Sequence, residues 1–366
     1  MKKISVILVF ILASCAPVVL ADLYLKSQRL PAQNSRVMTL GGGFLNTLSN
    51  GVRGYSPNSL IRHAAIYGEE IEYDYLFTTD SHGFRRTFTC NNHNKKQPLF
   101  AISGDSFTEG QGSSYSWATD IQTIACDLGS NSINTAIAGS GLLEMEKSLI
   151  YAKKSLGAKK ALIAIILDDI YRPYQELSSN SECSAYLHNS VLSCGKLATW
   201  WHIPFSATTD ELIKLAKRKS EYGVIPAIKL LRENISLNTK KAVKKAFFPS
   251  YQSPKRLRLI KDSSAAVSRI AMLYGVENIS LLLLPTKTDR LKNDIASSQE
   301  ISQSQEDLRV FKLNLPDKLK FYDIRSCNLN KNHFHVFDGH PNETGQKKIG
   351  ECAYKALKNT EFFAVF

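Results

Sequence analysis

Gly104-Asp105-Ser106-Phe107-Thr108-Glu109-Gly110 follows an apolar run, Pro98-Leu-Phe-Ala-Ile-Ser103, that reads as a buried strand. A serine just past a strand end, flanked by glycines, stands where an open α/β sheet places a reactive group. Small residues let the backbone turn sharply there and let another molecule come close. The pattern repeats downstream. Helix 116–128 is followed by strand 131–136, helix 142–156 and strand 161–167. After a long insertion come helix 256–274, strand 279–284, helix 298–314, strand 319–324 and a last helix over 342–358. The run Ala161-Leu-Ile-Ala-Ile-Ile-Leu167 is continuously apolar, as a central parallel strand requires. Strand–helix alternation of this kind predicts an α/β protein, a flavodoxin-like three-layer sandwich on a five-stranded parallel sheet.

More than 200 residues after Ser106 comes Phe337-Asp338-Gly339-His340-Pro341-Asn342. A serine hydroxyl is a weak nucleophile at neutral pH and needs an adjacent base. His340 is the candidate base, and Asp338 the carboxylate that orients its imidazole. Spaced two apart, they share one short loop. Attack on a carbonyl puts negative charge on its oxygen, which backbone N–H groups must face. The amides of Ser106 and of Gly139, in Ala138-Gly139-Ser140-Gly141, are the candidates. Such a Ser-His-Asp set points to an ester hydrolase or an acyltransferase. No cofactor is called for. His333 and His335 lie near Asp338, but no third partner at metal-binding spacing accompanies them, so no metal is assigned.

Four pieces of the chain are similar to the SGNH/GDSL hydrolase superfamily: Gly104–Gly110, Asn134-Thr-Ala-Ile-Ala-Gly139, Ile166-Leu-Asp168-Asp169 and Asp338-Gly-His340-Pro-Asn. The resemblance covers roughly residues 54–355. It implies an esterase with Ser106 as nucleophile, Asp338 and His340 completing the triad, and an oxyanion hole built by Ser106, Gly139 and the residue at position 168. The chain departs from the family there. Asp168 stands where the family usually has Asn, and an ionised Asp accepts hydrogen bonds but donates none. Some branches of the family resemble Asp168-Asp-Ile-Tyr-Arg172, which makes Arg172 a candidate charge partner. Asp105 fits a structural role in the nucleophile loop.

Lys2 and Lys3 precede an apolar stretch from Ile4 to about Leu25. Three readings fit residues 1–25: a signal anchor, a signal cleaved after Val19-Leu20-Ala21, and a lipoprotein peptide with Cys15 as the acylated residue. Each exports the bulk of the chain, to the periplasmic or cell-surface face of a membrane. Six further cysteines, Cys90, Cys126, Cys183, Cys194, Cys327 and Cys352, suit an oxidising compartment. Fifteen pairings are open, and Cys183 with Cys194 is the nearest local choice.

Residues 26–95 form an N-terminal extension with short strands. Its first part, 26–53, reads as a linker or irregular approach, and Glu70–Phe77 alternates like a strand. The core comprises 96–172 and 256–360, and 173–255 is a basic insertion that reads as largely helical. The net charge of +13 is concentrated. Between Lys196 and Lys261 stand 15 Lys/Arg against four acidic residues, and the remainder is close to neutral. The global charge therefore says little about the core. A basic, exported insertion suits anionic lipid or polysaccharide rather than nucleic acid. The expected partners are an acylated carbohydrate or lipid, plus a membrane at the N-terminus. Two alternatives stay open: an O-acyltransferase on the same triad, and a glycan-binding protein whose oxyanion site has decayed.

Overall fold

The computed structural model describes residues 36–48, 51–67, 70–88, 90, 99–172, 186–188, 191–193, 201–219, 254–287 and 298–358, with isolated positions 17 and 20. Apart from positions 17 and 20, the N-terminal apolar segment lies outside the described residues, as do Cys15, Cys183 and Cys194. Among those described, no helix is long and apolar enough to cross a membrane.

The extension carries five strands: β1 (Arg36–Gly41), β2 (Leu45–Thr47), β3 (Arg53–Tyr55), β4 (Leu60–Tyr67) and β5 (Glu70–Thr78). The core begins with β6 (Leu99–Ser103), the one-turn helix α1 (Ser106–Glu109), α2 (Ala118–Asp127), β7 (Asn131–Asn134), α3 (Leu142–Lys154) and β8 (Ala158–Ile165). A 3-10 turn, Leu167–Tyr171, leads into the insertion, which holds β9 (Tyr186–His188), β10 (Val191–Ser193), β11 (Trp201–Ile203) and α4 (Thr209–Lys219). The core resumes with α5 (Pro254–Tyr274), β12 (Ile279–Leu283), α6 (Ser298–Leu313), β13 (Lys320–Asp323) and α7 (Glu343–Leu357).

Two compact units are present. The first comprises residues 1–38, 65–71 and 206–252. Its helix α4 starts at a reciprocal cap. The Glu211 carboxylate accepts from the Thr208 amide at 2.7 Å, and Thr208 Oγ1 accepts from the Glu211 amide at 3.3 Å.

The second unit, 39–64, 72–205 and 253–366, holds the core. Its five strands run in the order β13-β12-β8-β6-β7, all parallel. Numbered within the core, that is 2-1-3-4-5 read from β7, the doubly wound order expected from the alternation. β8 and β12 lie in the interior of the sheet, and all but one of their residues are buried. Alternate side chains feed two apolar layers. Ala101, Ile163 and Leu281 meet Leu149 of α3, Ile270 of α5 and Phe311 of α6. Phe100, Leu162 and Leu282 meet Ile121 of α2 and Ile349 of α7 on the other face. The sheet order reverses between β6 and β8, and the C-terminal ends of these strands are where a doubly wound sheet places its ligands.

Two disulfides lie among the described residues, Cys90–Cys126 and Cys327–Cys352, with Cα separations of 5.7 and 6.0 Å. The second ties the loop after β13 to α7.

Two expectations need correction. The approach over 26–53 is not simply irregular, because β1, β2 and the start of β3 fall within it. Val37 and Leu40 are buried, and the glycines at 41–43 masked this strand pattern in the sequence. The insertion is not only helical among its described residues. β9 and β10 pair antiparallel, and β11 runs parallel to β1 at the edge of a sheet ordered β11-β1-β4-β5.

Candidate active site

The nucleophile loop leaves β6 at the switch point. Asp105 caps α1 by accepting from the Phe107 amide at 2.9 Å. Gly104 is required by contact: a Cβ there would lie 2.3 Å from Thr108 Oγ1 and 2.8 Å from the Ala164 carbonyl. Ser106 therefore sits at the mouth of the sheet, 7% exposed.

From the far end of the chain, residues 335–340 form a pinched loop. The His335 amide donates to the His340 carbonyl at 3.0 Å, and Phe334 bridges Pro341 just below. Asn342 then caps α7 by accepting from the Gly345 amide at 3.0 Å. This places His340 Nε2 2.7 Å from Ser106 Oγ and His340 Nδ1 2.5 Å from Asp338 Oδ1. An ionised carboxylate only accepts, so Nδ1 carries the proton and Nε2 is free to accept from the serine hydroxyl. The three residues picked from the sequence thus form one chain of hydrogen bonds. The Phe107 ring packs on the imidazole, centroids 5.0 Å apart.

The Gly139 loop runs beside the nucleophile loop. The Ile137 amide reaches the Gly104 carbonyl at 3.3 Å. Among the described residues no protein acceptor takes the amide of Ser106 or of Gly139. Asp168 is exposed at the start of its 3-10 turn, whereas its neighbour Asp169 is buried and accepts from the Ile166 amide at 2.9 Å. Arg172 pairs with Asp169 at 2.6 Å and with Asp105 at 3.2 Å. Burial pushes the Asp105 carboxyl well above the usual carboxylate range, its neighbour Asp169 adds to this, and Arg172 opposes it. Asp169 is raised by burial and likewise opposed by Arg172.

His333 and His335 are engaged separately. His333 Nδ1 accepts from the Asn330 amide at 3.0 Å, and His335 Nε2 donates to the Gly112 carbonyl at 2.9 Å. Lys287, after β12, donates to the carbonyls of His335 and Val336, both at 2.7 Å, so it braces the histidine loop.

Sequence reading missed the layer behind the triad. Tyr73 donates to Asp338 Oδ2 at 3.1 Å. The Glu72 carboxylate accepts from the amides of Phe337 at 2.7 Å and Asp338 at 2.9 Å. Arg85 donates to the carbonyls of Gly110 and Ser113, both at 2.7 Å. Glu109 accepts from the Tyr55 hydroxyl at 2.7 Å and from the Ala138 amide at 2.6 Å. Four of these five residues come from the N-terminal extension. Their one local signal is the alternation in β5, which turns Tyr73, Tyr75 and Phe77 inward.

Neither a family model nor a curated protein matches the sequence. Among solved structures the chain is similar to a lipase/acylhydrolase from Enterococcus faecalis, at 9% identity over 72% of this chain and 96% of that one, with a TM-score of 0.36. It is also similar to a family 3 carbohydrate esterase from Clostridium thermocellum (13% identity, 72% and 96% covered, TM-score 0.35). A third is a catalytic mutant of Axe2, an acetylxylan esterase from Geobacillus stearothermophilus (11% identity, 74% and 98% covered, TM-score 0.37). The chemical reading rests on the site itself.

Proposed function

We propose that this protein is a serine ester hydrolase that works through an acyl-Ser106 intermediate. The observation that carries this is the hydrogen-bonded chain Ser106–His340–Asp338 at the C-terminal end of β6. In this reading His340 Nε2 takes the proton of Ser106 as Oγ attacks the ester carbonyl carbon. The resulting oxyanion is met by the amides of Ser106 and Gly139. Collapse breaks the bond to the alcohol oxygen, which leaves with the proton held by His340. Water, deprotonated by the same imidazole, then releases the acid and restores Ser106. Asp338 holds the imidazole tautomer and stabilises its charged form. The oxyanion hole has two members here, both backbone amides, because Asp168 brings a carboxylate and not an amide.

The substrate we propose is an O-acyl ester, acetyl or short acyl, of a cell-envelope carbohydrate or lipid. The excess of positive charge between Lys196 and Lys261 supports an anionic substrate or surface. Export and membrane attachment through residues 1–25 are supported by the Lys-Lys start, the apolar run and the two disulfides. Asp168 favours one rival reading, a glycan-binding protein without turnover.

The test is covalent labelling of the full chain with a fluorophosphonate, the adduct mapped by mass spectrometry beside His340→Ala. Labelling at Ser106 that depends on His340 is the expected result, followed by turnover of acetylated glycans. A folded protein that takes no label overturns the esterase reading and leaves the binding protein.

A further inference from the structure

Arg53 lies in β3, outside the parallel sheet, yet its Nη1 donates to the carbonyl oxygen of Ala138 at 2.8 Å. The amide of the same Ala138 donates to Glu109 at 2.6 Å. Two side chains thus hold both backbone groups of the residue before Gly139. A trans peptide is planar, with its C=O and N–H pointing opposite ways. The Ala138 carbonyl and the Gly139 N–H belong to one such plane. Whatever fixes that oxygen therefore aims that N–H in the reverse direction.

The plane is the centre of a turn. The Ser140 amide donates to the Ile137 carbonyl at 3.0 Å, and Gly139, at the third position, has φ of +73°. A type II turn requires a positive φ there. Flipping the central peptide converts it to a type I turn without breaking the closing hydrogen bond, and it reverses the Gly139 N–H. The backbone alone thus permits two states that differ in where this amide points.

We propose that Arg53 is the positioning residue of the oxyanion hole: by holding the Ala138 oxygen it selects the turn in which Gly139 N–H meets the substrate's developing oxyanion. This rests on the ester-hydrolase reading above. A cation on the carbonyl end of a peptide also polarises its N–H into a stronger donor. The choice of arginine fits that use. Its Nε is shut off from solvent, and a buried guanidinium is costly where a neutral donor would satisfy one carbonyl. Glu109 and Glu144 lie near enough to offset its charge. Tyr55, two residues on, fixes the other oxygen of Glu109, so β3 braces the nucleophile helix and the oxyanion turn together.

The experiment compares Arg53→Met and Arg53→Gln with the parent protein on p-nitrophenyl acetate. It also measures inhibition by an aliphatic trifluoromethyl ketone, whose hemiketal with Ser106 carries an oxyanion. Removing a whole oxyanion donor costs 10²–10³ in kcat, so losing its positioning in Arg53→Met is expected to cost about 30-fold. KM should stay within about twofold, and ketone affinity should fall in step with kcat/KM. Arg53→Gln, a neutral donor, should fall between the two. If Arg53→Met does not fold by near-UV circular dichroism, Arg53→Gln decides on the same readouts. Unchanged kcat, or a loss of kcat with unchanged ketone affinity, overturns the proposal. A parent protein that neither hydrolyses the ester nor binds the ketone overturns the esterase reading itself.

Discussion

The phenol of Tyr73 donates to Oδ2 of Asp338 at 3.1 Å, while Oδ1 of the same carboxylate faces His340 Nδ1 at 2.5 Å. Asp338 is 3% exposed, so its charge depends on protein donors rather than water. A strand of the extension thus solvates the carboxylate of the triad. Tyr73→Phe keeps the ring and removes that donor. We expect kcat for a chromogenic ester to fall by about fivefold, and stability to urea to fall by about 1.5–3 kcal/mol, as for loss of one hydrogen bond to a charged group.

Glu72 acts one bond further out. Its carboxylate takes the amides of Phe337 and Asp338 and so sets the backbone of the loop that carries His340. Glu72→Ala frees both amides to water at a partly exposed site. The expected outcome is a loss of about tenfold in kcat with the melting temperature nearly unchanged, because a small misplacement of the triad costs rate more than stability. Equal activity in the variant would show that the Phe334–Pro341 bridge and Lys287 hold the loop without Glu72.

Arg172 sits between two buried carboxylates, Asp105 and Asp169. Arg172→Met leaves both without their cation, at a cost of about 3 kcal/mol at pH 7.5. The sign of the pH effect follows from the raised carboxyls. Arg172 opposes that rise in the parent, so without it the folded variant takes up protons at higher pH than the folded parent does, and acidification favours the variant relative to the parent. Urea midpoints at pH 7.5 and 5.5 should show the deficit against the parent protein shrinking at the lower pH.

Cys327–Cys352 closes a short loop with a sequence separation of 25, and Cys90–Cys126 one of 36. Replacing either pair by serine should lower stability by about 3 kcal/mol on loop-closure grounds. The Cys327–Cys352 bridge joins the loop after β13 to α7, and α7 follows His340 directly. Its loss should therefore also reduce fluorophosphonate labelling of Ser106, whereas loss of Cys90–Cys126 should leave labelling close to the parent rate. Labelling kinetics on the two variants separate these outcomes.

The five core strands and their helices were legible because each element buries its own apolar face and so writes a period into the chain. The run from Ala161 to Ile165 reads as a buried strand wherever it is met. β1 was not legible: its last residue, Gly41, opens the Gly41–Gly43 run, so a linker and a strand look alike in sequence. The position-168 problem was visible in the sequence. That Asp168 is exposed while Asp169 takes the buried contacts was not, because adjacent residues differ only in which way the 3-10 turn points them.

By itself the sequence determined the α/β class and singled out Ser106, Asp338 and His340 as candidates, since those rest on local periodicity and on short motifs. Only the tertiary structure decided what stands behind them. Arg53 on Ala138, Tyr55 on Glu109, Glu72 on the Phe337 and Asp338 amides and Tyr73 on Asp338 join positions from 54 to 266 residues apart. A hydrogen bond across such a separation leaves no period in either segment, because its partners are brought together by the packing of whole elements and not by the chain between them.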